Sequence, residues 1–86
     1  MSDSFDIGLS QVSPDDQSLR LLIGENVRRL RTEQDLSKKT LARISGVSRP
    51  LLDKVERGEA DLRASYISRI ADSLSVPPAV LLTPHR

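Results

Sequence analysis

Two adjacent lysines at the start of a predicted helix are the residues of this sequence best placed to hold an anion. Lys38 and Lys39 follow Ser37, a suitable helix N-cap, in the stretch "LSKKTLARISG". The N-terminus of a helix carries a partial positive charge, so cations there cost about 0.3–1 kcal/mol each. A phosphate bound at the first turn would convert that cost into an attraction. We therefore predict phosphate contacts from this turn, and two solvated lysines are the alternative.

A second polar group occupies one arc of the following helix, in the stretch "SRPLLDKVERG". Successive residues of an α-helix are rotated by about 100° around its axis, so Lys54 lies about 140° around the axis from Arg49. These two residues bound the arc. Its members are Arg49, Pro50, Asp53, Lys54 and Arg57. Leu52 and Val55 fall outside the arc, so we expect them in the core, and the polar arc faces outwards.

The distribution of charge indicates the kind of binding partner, and the composition argues against enzyme activity and metal binding. Residues 20–57 carry ten basic and five acidic side chains, whereas residues 1–19 carry four acidic ones and no basic one. The basic middle segment favours a polyanionic partner. The chain has no cysteine, and its one histidine is His85. Because we find no nucleophile with a histidine partner, no glycine-rich phosphate loop and no cluster of metal ligands, we expect no enzyme activity, no cofactor and no metal.

The length fits one small domain. No apolar run approaches the roughly 18 residues of a membrane helix, and "MSDSFDIG" has neither the basic nor the apolar segment of a signal peptide. These features predict a cytoplasmic protein that does not enter a membrane. We expect residues 1–13 to form a disordered acidic tail, residues 14–82 the folded domain and residues 83–86 a C-terminal tail.

Apolar periodicity and helix-ending residues predict an all-α fold, a compact five-helix bundle. Pro14 suits the first turn of the first helix, and Gly46 suits the left-handed turn that ends the second. Gly24, inside the first helix, indicates a close contact with another helix. Ile44 and Ala64 are assigned to the inner faces of their helices. The helices are expected at about 14–34, 38–45, 48–58, 63–74 and 76–82.

The second and third predicted helices have the spacing of a helix-turn-helix. The motif needs a small residue where its helices cross, a glycine at the turn and apolar residues at the crossing. Counted from Lys38, the matching positions are Leu41, Ala42, Gly46, Val47, Leu52 and Val55. Residues 23–82 resemble the phage-repressor/Cro-like (XRE) family, which has a lambda-repressor-like DNA-binding domain. The resemblance rests on "IGENVRRLR", "LSKKTLARISGVSRPLLDKVERG" and "ISRIADSLSVPPAVLL".

This resemblance implies a transcriptional regulator, expected to be a dimeric repressor, that binds double-stranded DNA. The third helix, residues 48–58, would enter the major groove, and the second would lie along the backbone. Base contacts are expected from Arg49, Pro50, Asp53 and Lys54, and phosphate contacts from Ser37, Lys38, Lys39, Ser48 and Arg57. An arginine or lysine could pair with guanine O6/N7, and Asp53 could accept a hydrogen bond from cytosine N4. The resemblance also implies a structural pair between Arg31 and Glu56.

The sequence departs from the family at three positions. Pro50 stands where a polar residue often contacts a base, and it disfavours helical dihedrals at Arg49. We therefore expect the third helix to begin one residue late, with Arg49 as its cap and Pro50 offering at most an apolar contact to a thymine methyl. Asp35 and Ser75 occupy links where the family often has glycine.

Two parts of the sequence could bind a protein partner. The apolar end of the fifth helix, with Val80, Leu81 and Leu82, suggests a homodimer, which would bind a two-fold symmetric operator in the nucleoid of a bacterial or phage-type system. The alternative function is an antitoxin-like or other protein-interaction module on the same fold. In that case residues 3–12, where Phe5, Ile7 and Leu9 alternate with other residues, would bind a partner protein.

Overall fold

The computed structural model describes residues 14–85, with side chains from residue 16 onwards. In this part of the chain there are five helices and no strand, so the predicted all-α fold is confirmed. The helices are α1 (Pro14–Glu33), α2 (Lys38–Ser45), α3 (Arg49–Glu56), α4 (Ala64–Ser73) and α5 (Pro78–Leu81). The predicted acidic tail and the partner-binding segment 3–12 lie outside the described residues. None of the described helices has the length and apolar character that crossing a membrane requires.

The core lies where all five helices meet. α1 packs against α3 and α5, α2 packs against α3 and α4, and α4 packs against α5. The buried apolar side chains are Ile23, Val27, Leu30, Leu41, Val47, Leu52, Val55, Ile70, Ala71, Leu74 and Leu81. Two inward assignments were wrong. Ile44 is half-exposed because the buried side of α2 is formed by Leu41 and Ser45, and Ala64 is exposed because it opens α4 at the surface.

The backbones of α1 and α3 approach each other at Gly24. A Cβ atom at this position would collide with the carbonyl oxygen of Val55 and would lie 3.2 Å from the carbonyl carbon and oxygen of Glu56. The close helix contact expected from Gly24 is therefore present. It brings the backbone of α1 directly against the last turn of α3.

Two short links adopt left-handed backbone conformations at residues other than glycine. Asp35 has φ 56° and Ser75 has φ 59°. In each link the next residue closes the turn, because Leu36 N donates to Arg31 O and Val76 N donates to Ala71 O, both at 3.0 Å. The links therefore keep the geometry that glycine usually provides, at a cost in backbone strain.

Candidate nucleic-acid interface

Both helices of the helix-turn-helix begin at a capping serine. Ser37 Oγ accepts a hydrogen bond from Thr40 N at 3.0 Å, and Ser48 Oγ accepts one from Leu51 N at 3.3 Å. Gly46 ends α2 with φ 74°. These hydrogen bonds satisfy N–H groups that no carbonyl of the helix can reach. The caps thereby define the positions of the first turns of α2 and α3.

The predicted late start of α3 was wrong. Ser48 is the cap, Arg49 is the first helical residue, and Pro50 follows it within the first turn. The proline is tolerated because an N–H group in a first turn has no intrahelical acceptor, so none is lost. Leu52 N donates to Ser48 O at 3.0 Å, which closes the first turn of the helix. Arg49 consequently projects from a regular helix.

The polar arc of α3 faces solvent while its opposite side is buried. Arg49, Pro50, Lys54 and Arg57 are exposed, and Asp53 is partly buried. Leu52 and Val55 lie in the core, as their position outside the arc predicted. The arc therefore stands on a helix whose orientation is fixed by packing, which is a requirement for reading a rigid ligand.

The start of α2 contacts the centre of this arc. Lys38 Nζ lies 3.0 Å from Asp53 Oδ1, and the two side chains are 36% and 33% exposed. Sequence reasoning assigned Lys38 to phosphate and Asp53 to a base, and it missed their contact with each other. No sequence signal gave this contact, because helical periodicity orders side chains within one helix and says nothing about pairs between helices.

Asp53 is surrounded by cations. The hydrogen bond from Lys38 lowers the pKa of Asp53, partial desolvation opposes this shift, and the charges of Lys38, Arg49 and Arg57 add to the lowering. The Asp53 carboxylate is therefore ionised at neutral pH. The contact between Lys38 and Asp53 joins the first turn of α2 to the arc of α3, and the other charged side chains of this surface, Lys39, Arg49, Lys54 and Arg57, are positive.

The remaining cations of this surface differ in their partners. Arg57 Nε donates to Glu59 Oε1 at 3.1 Å, and both side chains are more than half exposed. Within residues 16–85, Lys39, Arg49 and Lys54 form no ion pair. These three side chains are exposed and can turn towards an anionic ligand without breaking an ion pair.

The structure also brings Arg31 and Glu56 together. Arg31 Nε lies 2.7 Å from Glu56 Oε2, and Nη2 lies 3.0 Å from Oε1. Arg31 Nη1 donates to Leu36 O at 2.8 Å. These contacts occupy both side chains within the fold and join α1, α3 and the link between α1 and α2.

The candidate dimer surface is smaller than expected. Leu81 is fully buried in the core of its own chain, so its assignment to this surface was wrong. Val80 is partly buried and Leu82 is 42% exposed. Buried Asn26 holds this end of α5 in place, because its Nδ2 lies 2.9 Å from Leu81 O and 3.0 Å from Thr83 O. The apolar surface that remains available is formed by Val80 and Leu82.

The fold and this surface define a DNA-binding protein of the helix-turn-helix class. A family model described as helix-turn-helix matches residues 27–81. The chain belongs to this family, the XRE-type helix-turn-helix proteins designated HTH_3. Within residues 14–85, no group of three or more histidine, cysteine or acidic side chains is arranged to hold a metal ion.

Similar proteins include a hypothetical transcription factor, a control protein and a restriction-modification controller protein. A hypothetical transcription factor of Neisseria meningitidis serogroup B is 35% identical over 83% of this chain and 67% of its own length. The control protein C.SmaI of Serratia marcescens is 35% identical over 76% of this chain and 77% of its own length. The crystal structure of the restriction-modification controller protein C.AhdI of Aeromonas hydrophila superposes with a TM-score of 0.70, at 35% identity, over 72% of this chain and 94% of that chain.

Proposed function

We propose that the chain is a sequence-selective transcriptional regulator that binds double-stranded DNA as a homodimer and acts as a repressor. The observation that carries this proposal is the contact between Lys38 and Asp53, with Nζ and Oδ1 3.0 Å apart. It joins the first turn of α2 to the exposed arc of α3 in a single surface. In helix-turn-helix proteins the second helix of the motif lies in the major groove while the first crosses the backbone, and the surface of α2 and α3 would serve both tasks.

The two parts of the surface would have different tasks. Ser37, Lys38, Lys39, Ser48 and Arg57 would contact phosphates, which positions the protein without reading sequence. Arg49 and Lys54 would contact guanine O6/N7, and Asp53 would accept a hydrogen bond from cytosine N4. Pro50 is exposed at the start of α3 and would contact a thymine methyl group. α3 would therefore lie in the major groove.

A homodimer would present two copies of α3 to one face of the DNA, about 34–36 Å apart, one helical turn of the duplex. Val80 and exposed Leu82 are the apolar side chains proposed for the contact between subunits. The operator would then have two-fold symmetry. A repressor of this kind acts on DNA in the cytoplasm and would be associated with the nucleoid.

Selection of bound sequences from random duplex DNA tests the proposal. The expected product is a motif of two inverted half-sites, bound by two copies of the chain in sedimentation experiments. A folded chain that binds no duplex of any sequence at low ionic strength would overturn DNA binding itself. Selected sites without symmetry, bound by single chains, would overturn the homodimer and leave DNA binding in place.

A further inference from the structure

We propose that Asp53 sets sequence selectivity by restraining Lys38, which moves to a DNA phosphate only where a base occupies the Asp53 carboxylate. The inference rests on the proposed function and assigns Asp53 a task beyond accepting one hydrogen bond. It starts from the free protein, where Lys38 Nζ and Asp53 Oδ1 are 3.0 Å apart. There the Lys38 ammonium is already paired with a carboxylate before any DNA arrives.

The position of Asp53 makes this restraint matter for binding. Its carboxylate contacts Lys38 and interacts with the charges of Arg49 and Arg57, on the surface that would face an anionic duplex. The other ion pair of the surface joins Arg57 to Glu59, whose carboxylate belongs to the segment after α3 and not to the arc. Asp53 is the acidic residue on the polar arc itself, so its partner decides whether the centre of the interface is neutral or negative.

Opposite a guanine or a thymine, binding is weakened whether Lys38 leaves Asp53 or stays paired with it. If Lys38 moves to a phosphate, the Asp53 carboxylate faces the groove without its closest cation. Guanine O6/N7 and thymine O4 are acceptors, so these groups repel a carboxylate. If the pair stays closed, Lys38 displaces no counterion from the DNA. Asp53 therefore acts against incorrect sequences as well as in favour of a correct one.

At a cytosine in the matching position the balance changes. The N4 amino group donates to the carboxylate of Asp53 and takes the place of the Lys38 ammonium. Lys38 is then available for the backbone phosphate next to the start of α2. Recognition of one base pair and neutralisation of one phosphate are thereby linked through a single contact between helices.

The salt dependence of binding tests this linkage. Two ligands are needed, a random-sequence duplex and the best duplex obtained by selection. Each neutralised phosphate adds about 0.9 to the slope of log affinity against log salt concentration. In the unaltered protein the slope should be steeper for the selected duplex than for the random one, by up to about 0.9 from Lys38.

Two variants should reduce this slope difference for different reasons. In Asp53→Asn, Lys38 contacts phosphate on both duplexes, so the random duplex should bind more tightly and its slope should rise. Selectivity should fall by about fivefold or more, because the neutral amide no longer restrains Lys38 and no longer repels guanine O6/N7 or thymine O4. In Lys38→Ala, neither duplex has a phosphate contact from residue 38, so the slope difference should also shrink. In contrast to Asp53→Asn, the affinity for the random duplex should not rise.

Asp61→Asn is the matched control. It also replaces one aspartate by asparagine, but Asp61 is exposed and pairs with Arg20 through Nη2 at 3.7 Å, away from the polar arc. This variant should keep the slope difference and the selectivity. The inference is overturned if the slope difference persists in Asp53→Asn or in Lys38→Ala, or if Asp61→Asn changes it equally. Absence of duplex binding by the unaltered protein would instead overturn the proposed function. Thermal melting followed by circular dichroism verifies that each variant is folded.

Discussion

Arg31 and Glu56 form a two-pronged ion pair between α1 and α3, with contacts of 2.7 Å and 3.0 Å. The side chains are only 11% and 5% exposed. The hydrogen bond to Glu56 raises the pKa of Arg31, against the opposing effect of burial. Since Arg31 also donates to Leu36 O at 2.8 Å, one guanidinium fixes the orientation of α3 relative to α1 and to the link before α2.

Replacing Arg31 by alanine should lower the free energy of unfolding by about 3–5 kcal/mol, because the Glu56 carboxylate is left buried without its partner. Urea denaturation followed by circular dichroism measures this change. Arg28→Ala is the control, since Arg28 is an exposed arginine on the same helix and forms no ion pair within residues 16–85. It should change stability by no more than about 0.5 kcal/mol. Equal effects of the two substitutions on the free energy of unfolding would show that the ion pair between Arg31 and Glu56 contributes little to stability.

Gly24→Ala should also destabilise the fold, although alanine favours helix formation by up to about 1 kcal/mol. The added methyl group meets the carbonyl oxygen of Val55, a backbone atom that cannot rotate away. Overpacking of this kind costs about 1–3 kcal/mol, so the net effect should be a lower urea midpoint. Glu25→Ala, an exposed substitution in the same helix, is the control and should leave the midpoint nearly unchanged. An unchanged midpoint in Gly24→Ala would mean that α1 and α3 separate at low cost.

Much of the fold could be predicted because its signals are local. Ser37 and Ser48 are helix caps by residue type, and Gly46 has the positive φ that ends a helix. Asp35 and Ser75 were identified as replacements of glycine in a resembled family, and both have positive φ. Each of these features depends on a few neighbouring residues, so the sequence contains the information needed to find it.

The features that were missed depend on more distant parts of the chain. Leu81 and Leu82 are adjacent apolar residues, and only the packing of α5 against α1 and α4 decides that Leu81 is the buried one. The contact of Lys38 with Asp53 depends on how α2 and α3 cross. Pro50 suggested a displaced helix start from its intrinsic preference, whereas the Ser48 cap determined the outcome.

Lys39→Ala should weaken binding to all duplexes by a similar factor. Lys39 is exposed at the first turn of α2 and has no ion pair in the described part of the chain, so a phosphate contact is its expected use. The salt dependence of log affinity should become shallower by about 0.9. Arg63→Ala removes an exposed cation just before α4 and should leave the slope unchanged. A slope that is the same in Lys39→Ala and in the unaltered protein would contradict the phosphate contact.

Arg49→Ala should relax the preference at one base pair of each half-site. Arg49 is exposed in the first turn of α3 and is aligned by a regular helix, so it can reach guanine O6/N7. The binding free energy for the duplex with the preferred base pair should fall by about 1–3 kcal/mol, and that for duplexes with other base pairs at this position should fall less. Competition assays with single-base variants of the selected duplex measure it. If the order of preference is unaltered, Arg49 contacts the backbone instead.

The stability of the fold should depend on Asp53 in a pH-dependent way. The hydrogen bond from Lys38 is the main cause that lowers the pKa of Asp53 below its ordinary value. A carboxylate with a lowered pKa in the folded state stabilises the fold above its unfolded pKa, and this contribution disappears as the pH falls through the folded-state pKa. The difference in unfolding free energy between the unaltered protein and Asp53→Asn should therefore be constant from about pH 5 to 7 and shrink below about pH 4. Urea titrations at several pH values measure this difference, and in a Lys38→Ala background most of the change with pH should be absent. A difference that stays the same down to the lowest pH at which the protein folds would show that the contact does not form in solution.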